Sequence, residues 1–136
     1  MNTKPCLSHD DVLAILNAAR AEAQAHQWAV TIAVADDGGH LLGLYRLDGA
    51  PPMSARMAPA KARTAAMGRR ETQVYEKMIN EGRTAFLSAP DLEGMLEGGV
   101  PIIVGGQVVG SVGVSGVKSS EDAQIAKAGI AALAAG

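Results

Sequence analysis

The chain has 136 residues and a formal net charge of −2, with 48% hydrophobic, 19% charged and 3% aromatic residues. That length suits one domain, residues 1–136, with a core of its own. The weakly acidic balance and the scarcity of aromatic rings argue against a nucleic-acid binder, and no run approaches the ~18 apolar residues of a membrane span.

The opening MNTKPCLSHDD places two aspartates where a signal peptide needs an apolar stretch, so the expected location is the cytoplasm. Residues 1–7 read as a flexible tail, and Cys6, the single cysteine, can form no internal disulfide. A first helix starts behind Ser8. With Asp11 it forms the S-x-x-D pattern of a capping box, and Leu7 and Val12 are placed as the hydrophobic staple across it. Val12, Leu16, Ala19, Ala23 and His26 follow at helical spacing, with His26 as an end-of-helix residue.

VTIAVA (30–35) and HLLGLYR (40–46) flank Asp36-Asp37-Gly38-Gly39, and the β-branched residues with that turn predict a hairpin. The next segment is helical. It either starts near Pro59 or is kinked there, since a proline deep in a helix costs a hydrogen bond, and it runs to about Gly68. A second piece spans about Thr72 to Asn80 and stops at Gly82. Residues 84–99 read as loop, with one short strand near Leu92–Leu96. PIIV (101–104) and QVVGSVGVS (107–115) flank Gly105-Gly106 and predict a second hairpin. Gly110 and Gly113 are unusual inside a strand and leave gaps for another backbone or a flat ligand. Ser119 and Asp122 repeat the capping-box pattern before an alanine-rich helix through Leu133. Helix, hairpin, helices, hairpin, helix is the order of an α+β fold: an antiparallel sheet built from two hairpins and covered by helices.

No phosphate loop, zinc spacing or nucleophile elbow is present. The segment 49–70 holds Arg56, Lys61, Arg63, Arg69 and Arg70 and no acid. Arg56, Arg63 and Arg70 recur every seven residues on one helical face, and Met57, Lys61, Thr64 and Gly68 lie along another. Cations beside soft apolar side chains suit an anionic amphipathic ligand, whereas the simpler alternative is a solvated basic face. On the second face, Lys61 is placed near a pocket. His40 is a surface residue closing its hairpin, a ligand for a metal or haem iron, or a proton carrier.

Three stretches together resemble the GlcG/HbpS-like family, which includes the C-terminal domain of PduO-type proteins: IAVADDGGHLLGLYRLDGA, KARTA, and LEGGVPIIVGGQVVGSVGVSGVKSSEDAQIAKAGIAAL. The similarity runs from Leu7 to Leu133, with GGVPI and GVSG its most specific pieces. It implies a profilin-like α-β-α sandwich, homo-oligomers from dimer to octamer, and haem as a cofactor, because several members bind it; others accompany glycolate or diol catabolism. The family turn D-x-G-G-H matches at Asp36, Gly38, Gly39 and His40, the middle-helix lysine at Lys61, and the strand-end loop at Gly113 to Gly116. The chain departs from the pattern at Pro59, and at Gln27, where a glycine commonly ends the first helix.

The expected function is therefore a haem- or tetrapyrrole-binding accessory protein. Its ligand-binding residues are expected among His40, Met57, Lys61, Thr64, Gly113 and Ser115, with His40 as iron ligand. The alternative is a small isomerase- or lyase-type enzyme acting on a carboxylate metabolite, in which Lys61 or an arginine holds the carboxylate and His40 moves the proton. A third is a partner module that binds no small molecule. Alanine-rich helices and an oily composition further predict a homo-oligomer, since one small core cannot absorb all the apolar surface.

Overall fold

A computed structural model describes residues 1–135. Helix α1 (His9–Ala25) begins with a complete capping box: Asp11 N–H donates to Ser8 Oγ at 3.1 Å and Ser8 N–H donates to Asp11 Oδ2 at 2.8 Å. Leu7 packs against the core just outside it. Four strands follow the two hairpins: β1 (Thr31–Asp36), β2 (Leu41–Arg46), β3 (Gly99–Val104) and β4 (Gln107–Ser115). They form one antiparallel sheet in the order β2-β1-β4-β3, and the hairpins join where Thr31 pairs with Ser115. Helices α2 (Ser54–Gly68) and α3 (Thr72–Asn80) separate the hairpins, and α4 (Ser119–Ala135) follows the second.

The alternation of side chains along the strands sorts the two faces chemically. One face presents Ile32, Val34, Ile102, Val112 and Val114 to Val12, Ile15 and Leu16 of α1 and Ile125 of α4; this is the main core. The two helices approach closely at Gly129, where an added Cβ would sit 3.0 Å from the Ile15 carbonyl. The other face carries small residues at its centre: Ala33 and Ala35 meet Ala58 and Ala62 of α2, with Leu44 of β2 packed beside them. Helix α2 therefore lies almost on the sheet. A Cβ at Gly113 would fall 2.1 Å from the Ala58 carbonyl oxygen and 2.4 Å from the Ala62 nitrogen. The gap expected at that glycine is filled by the chain's own helix.

Helices α1, α2 and α3 end alike. After each, the N–H of the left-handed residue bonds back three residues and the next N–H bonds back five, as in Gln27 N–H to Gln24 (3.1 Å) and Trp28 N–H to Ala23 (2.8 Å). The left-handed position of this Schellman motif is Gly82 (φ 109°) after α3, but Gln27 (φ 58°) after α1 and Arg69 (φ 58°) after α2.

Four sequence expectations are corrected. Residues 92–96 form no strand; a 3-10 helix at Thr84–Ser88 leads into an irregular stretch that packs on α2, where Gly94 admits the Ala60 carbonyl. Ser119 and Asp122 form no capping box: Asp122 is drawn inward by Lys61, and Glu121 instead reaches back to the Lys118 N–H at 3.3 Å. Arg70 lies beyond the end of α2, so the row Arg56-Arg63-Arg70 is broken. His26 caps the end of α1 as expected of an end-of-helix residue, but it stacks on Trp28 at 4.2 Å and lies off the buried stripe. As for Pro59, α2 starts five residues ahead of it and continues through it.

Candidate functional site

The turn between β1 and β2 is organised by one carboxylate. Asp36 Oδ1 accepts the N–H of Gly38 and the N–H of His40, both at 2.9 Å, and the same carboxylate lies 3.1 and 3.2 Å from His40 Nδ1. Gly39 takes φ 81°, and a Cβ there would meet Arg63 Cγ at 3.0 Å, so both conformation and contact require glycine. Partial burial alone would raise the Asp36 carboxyl; the His40 and Gly38 N–H groups and the charge of a protonated His40 outweigh it and hold it below the ordinary value. A neutral His40 that donates Nδ1–H to this carboxylate keeps its Nε2 lone pair free, on a side chain that is 75% exposed.

His40 borders a groove of about 370 Å³ between the turn and α2, lined also by Gly39, Leu41, Pro59, Ala60 and Arg63. Its walls are largely apolar and include one cation, Arg63, while Lys4 and Arg69 line a separate cavity beside Asp37. Arg63 Nε donates to the Asp91 carbonyl at 3.1 Å, the Arg69 guanidinium donates to the Asp37 carbonyl, and Lys4 pairs with the Asp37 carboxylate. The hydrogen bond from Lys4 holds the Asp37 carboxyl below its usual range. Such a surface can seat an apolar plate, give it one imidazole ligand, and pair a carboxylate at its rim.

The other expected site residues lie elsewhere. Lys61 is buried: Nζ donates to Asp122 Oδ2 at 3.1 Å and to the Val114 carbonyl at 3.0 Å, and it does not line the His40 groove. Burial raises the Asp122 carboxyl despite that lysine. Thr64 is fully buried, its Oγ1 without a hydrogen-bond partner among the described residues. Met57 and Ser115 are half-buried, and Gly113 is covered by α2. Of that set, the groove contains His40 alone. Arg63, Pro59 and Ala60 supply its other wall. Arg63 was visible as a cation in an acid-free segment, but nothing in its spacing assigned it to the turn.

Among the described residues no group of three or more His, Cys, Asp or Glu side chains could hold a metal ion, and no helix is long and apolar enough to cross a membrane. The donor set fits a tetrapyrrole better than a bare cation: one free imidazole nitrogen, apolar walls and one arginine.

Residues 7–131 match the family described as "Haem degrading protein HbpS-like". Protein GlcG of Escherichia coli is 57% identical over 115 residues, 85% of each chain. Among solved structures, a double mutant of Streptomyces reticuli HbpS superposes with a TM-score of 0.89 at 30% identity, covering 98% of this chain and 90% of that one. The complex of PduOC with heme superposes with a TM-score of 0.85 at 28% identity, covering 94% and 95%.

Proposed function

The chain belongs to the HbpS-like family, and from that premise we propose that it is a cytoplasmic, homo-oligomeric accessory protein that binds haem or a related tetrapyrrole in the His40 groove. The observation that carries this reading is the Asp36–His40 pair beside an apolar groove with Arg63 in its wall. A relative solved with heme, PduOC, supports it.

Asp36 fixes the imidazole so that Nε2 faces outward as an iron ligand, much as carboxylates orient metal-bound histidines. Leu41, Pro59 and Ala60 would give bound haem an apolar wall, and Arg63 would pair with one of its carboxylates. Bound haem would supply an iron centre for storage, sensing or oxidative turnover. Lys61, Thr64 and Gly113 act from behind, by fixing α2 on the sheet, and Met57 and Ser115 have no direct part. A groove of about 370 Å³ covers only part of such a ligand, which favours closure by a second copy.

Titrating purified protein with haemin should give a shifted Soret band that saturates near one haem per chain, and His40→Ala should alter the band. A featureless, non-saturating spectrum removes the proposal.

The same oriented imidazole favours a second reading, an isomerase- or lyase-type enzyme. There Nε2 takes a proton from a carboxylate substrate held by Arg63, since Lys61 is committed to Asp122. Turnover that survives both His40→Ala and Arg63→Gln would sink it.

A further inference from the structure

We infer a second ligand site at the open end of the first hairpin, about 20 Å along the strands from the His40 turn, which takes an organic anion: a carboxylate or phosphate head on an apolar stem. A cleft of about 470 Å³ opens there between α1, the α1–β1 turn and the end of β2. Arg20 and Arg46 both line it, with Gln24, Gln27, Trp28 and Asp48. Clefts of this size are in the usual range for small-molecule sites.

Three observations point to a ligand. Neither arginine has a carboxylate in ion-pair range among the described residues, although both open to one cleft. Both are nonetheless positioned. The Arg20 guanidinium lies 5.2 Å over the Tyr45 ring, whose hydroxyl donates to Asn17 Oδ1 at 3.0 Å, and Arg46 donates to the Ala50 carbonyl at 3.4 Å. Two fixed guanidiniums are a receptor for a multidentate anion.

The third observation is Gln27. It occupies the left-handed position that glycine ordinarily fills. At the equivalent position after α2, Arg69 compensates for the strain, because its guanidinium binds the Asp37 and Ala66 carbonyls. Gln27 makes no such contact: its side chain has no hydrogen-bond partner among the described residues, and Gln27 lines the cleft. Strain retained at a side chain that makes no hydrogen bond within the described residues marks a contact made to something else. Trp28, half-buried and stacked on His26, provides a flat wall for the stem. Asp48 accepts a hydrogen bond from a donor group on the same ligand.

Trp28 is the only tryptophan, so its emission reports on this cleft alone. Phenyl phosphate and benzoate, titrated separately, should give a saturable change with at least one of them. Arg20→Gln or Arg46→Gln should weaken that binding about tenfold or more. Gln27→Gly should weaken it while raising the thermal midpoint, because the strain is gone. Haem titration at the His40 groove should be unchanged in all three, so this site and the proposed function fail separately. Neither probe saturating, or equal affinity in the Arg20→Gln/Arg46→Gln double variant, overturns the inference. So does a double variant that changes only the mass seen by light scattering, since the arginines would then be pairing with another copy.

Discussion

Lys61 Nζ and Asp122 Oδ2 lie 3.1 Å apart with both side chains buried, joining helices packed on opposite faces of the sheet. The pair closes around the end of β4, because Lys61 also holds the Val114 carbonyl and Asp122 also accepts the Val117 N–H at 3.2 Å. Glycine at 98 makes room: a Cβ there would sit 2.8 Å from Lys61 Nζ. Removing one partner leaves a charge buried without its counterion, which typically costs about 3–5 kcal/mol, whereas replacing both with apolar residues is often near neutral. Lys61→Met should therefore lower stability in urea by several kcal/mol, and Lys61→Met/Asp122→Leu should recover most of the loss. Additive losses in the double variant would show that the pair is not coupled.

Gly113 sets the distance between α2 and the sheet. Gly113→Ala places a methyl within 2.1 Å of the Ala58 carbonyl oxygen, backbone that cannot swing aside. Overpacking of this kind costs about 1–3 kcal/mol or more, and moving α2 also displaces Pro59, Ala60 and Arg63 from the His40 groove. The variant should melt earlier and bind haemin more weakly. An unchanged midpoint would mean that α2 stands off the sheet.

What could be read from the sequence was local. Ser8 and Asp11, the two hairpin turns and Gly82 are each specified by neighbours within a few residues, and each forms as the pattern predicts. The α+β class followed from the order of these pieces, and the family resemblance supplied the three-layer arrangement. The site was less legible because its partners are distant in sequence. Asp122 has the spacing of a capping residue, yet Lys61, sixty-one positions away, takes its carboxylate. Lys61 and His40 both carry functional chemistry, yet α2 turns Lys61 inward and Arg63 toward the turn. Gly113 announced a gap without saying what fills it.

Stability should depend on Asp36 in acid. Its carboxyl titrates below the ordinary value in the folded chain, so its contribution is present above the unfolded value of about 3.9 and is lost as pH falls through the lowered one. Asp122 works in the opposite sense. Its raised carboxyl adds stability below the unfolded value, and that is lost as pH rises through the folded one. Asp36→Asn removes the first contribution alone, so from neutral pH into acid its urea midpoint should fall less, or rise more, than that of the unmodified protein, whatever its effect at neutral pH. Parallel curves for the two proteins would show that the turn carboxylate is not linked to folding.

The last prediction concerns assembly. Leu41 and Leu42 are 54% and 41% exposed on the edge strand β2, and Ile103 is 58% exposed on the opposite edge strand, β3. Edge strands with apolar side chains invite pairing unless something covers them, and Leu41 is also a wall of the His40 groove. A symmetric homo-oligomer would bury such patches on equivalent surfaces and enclose a ligand that one groove only partly covers. Light scattering at micromolar concentration should report a mass at least twice 13.9 kDa. Leu41→Lys should shift that mass toward the single chain and weaken haemin binding with it. A monodisperse 13.9 kDa species for the unmodified protein would remove the closure between copies and leave the groove to work alone.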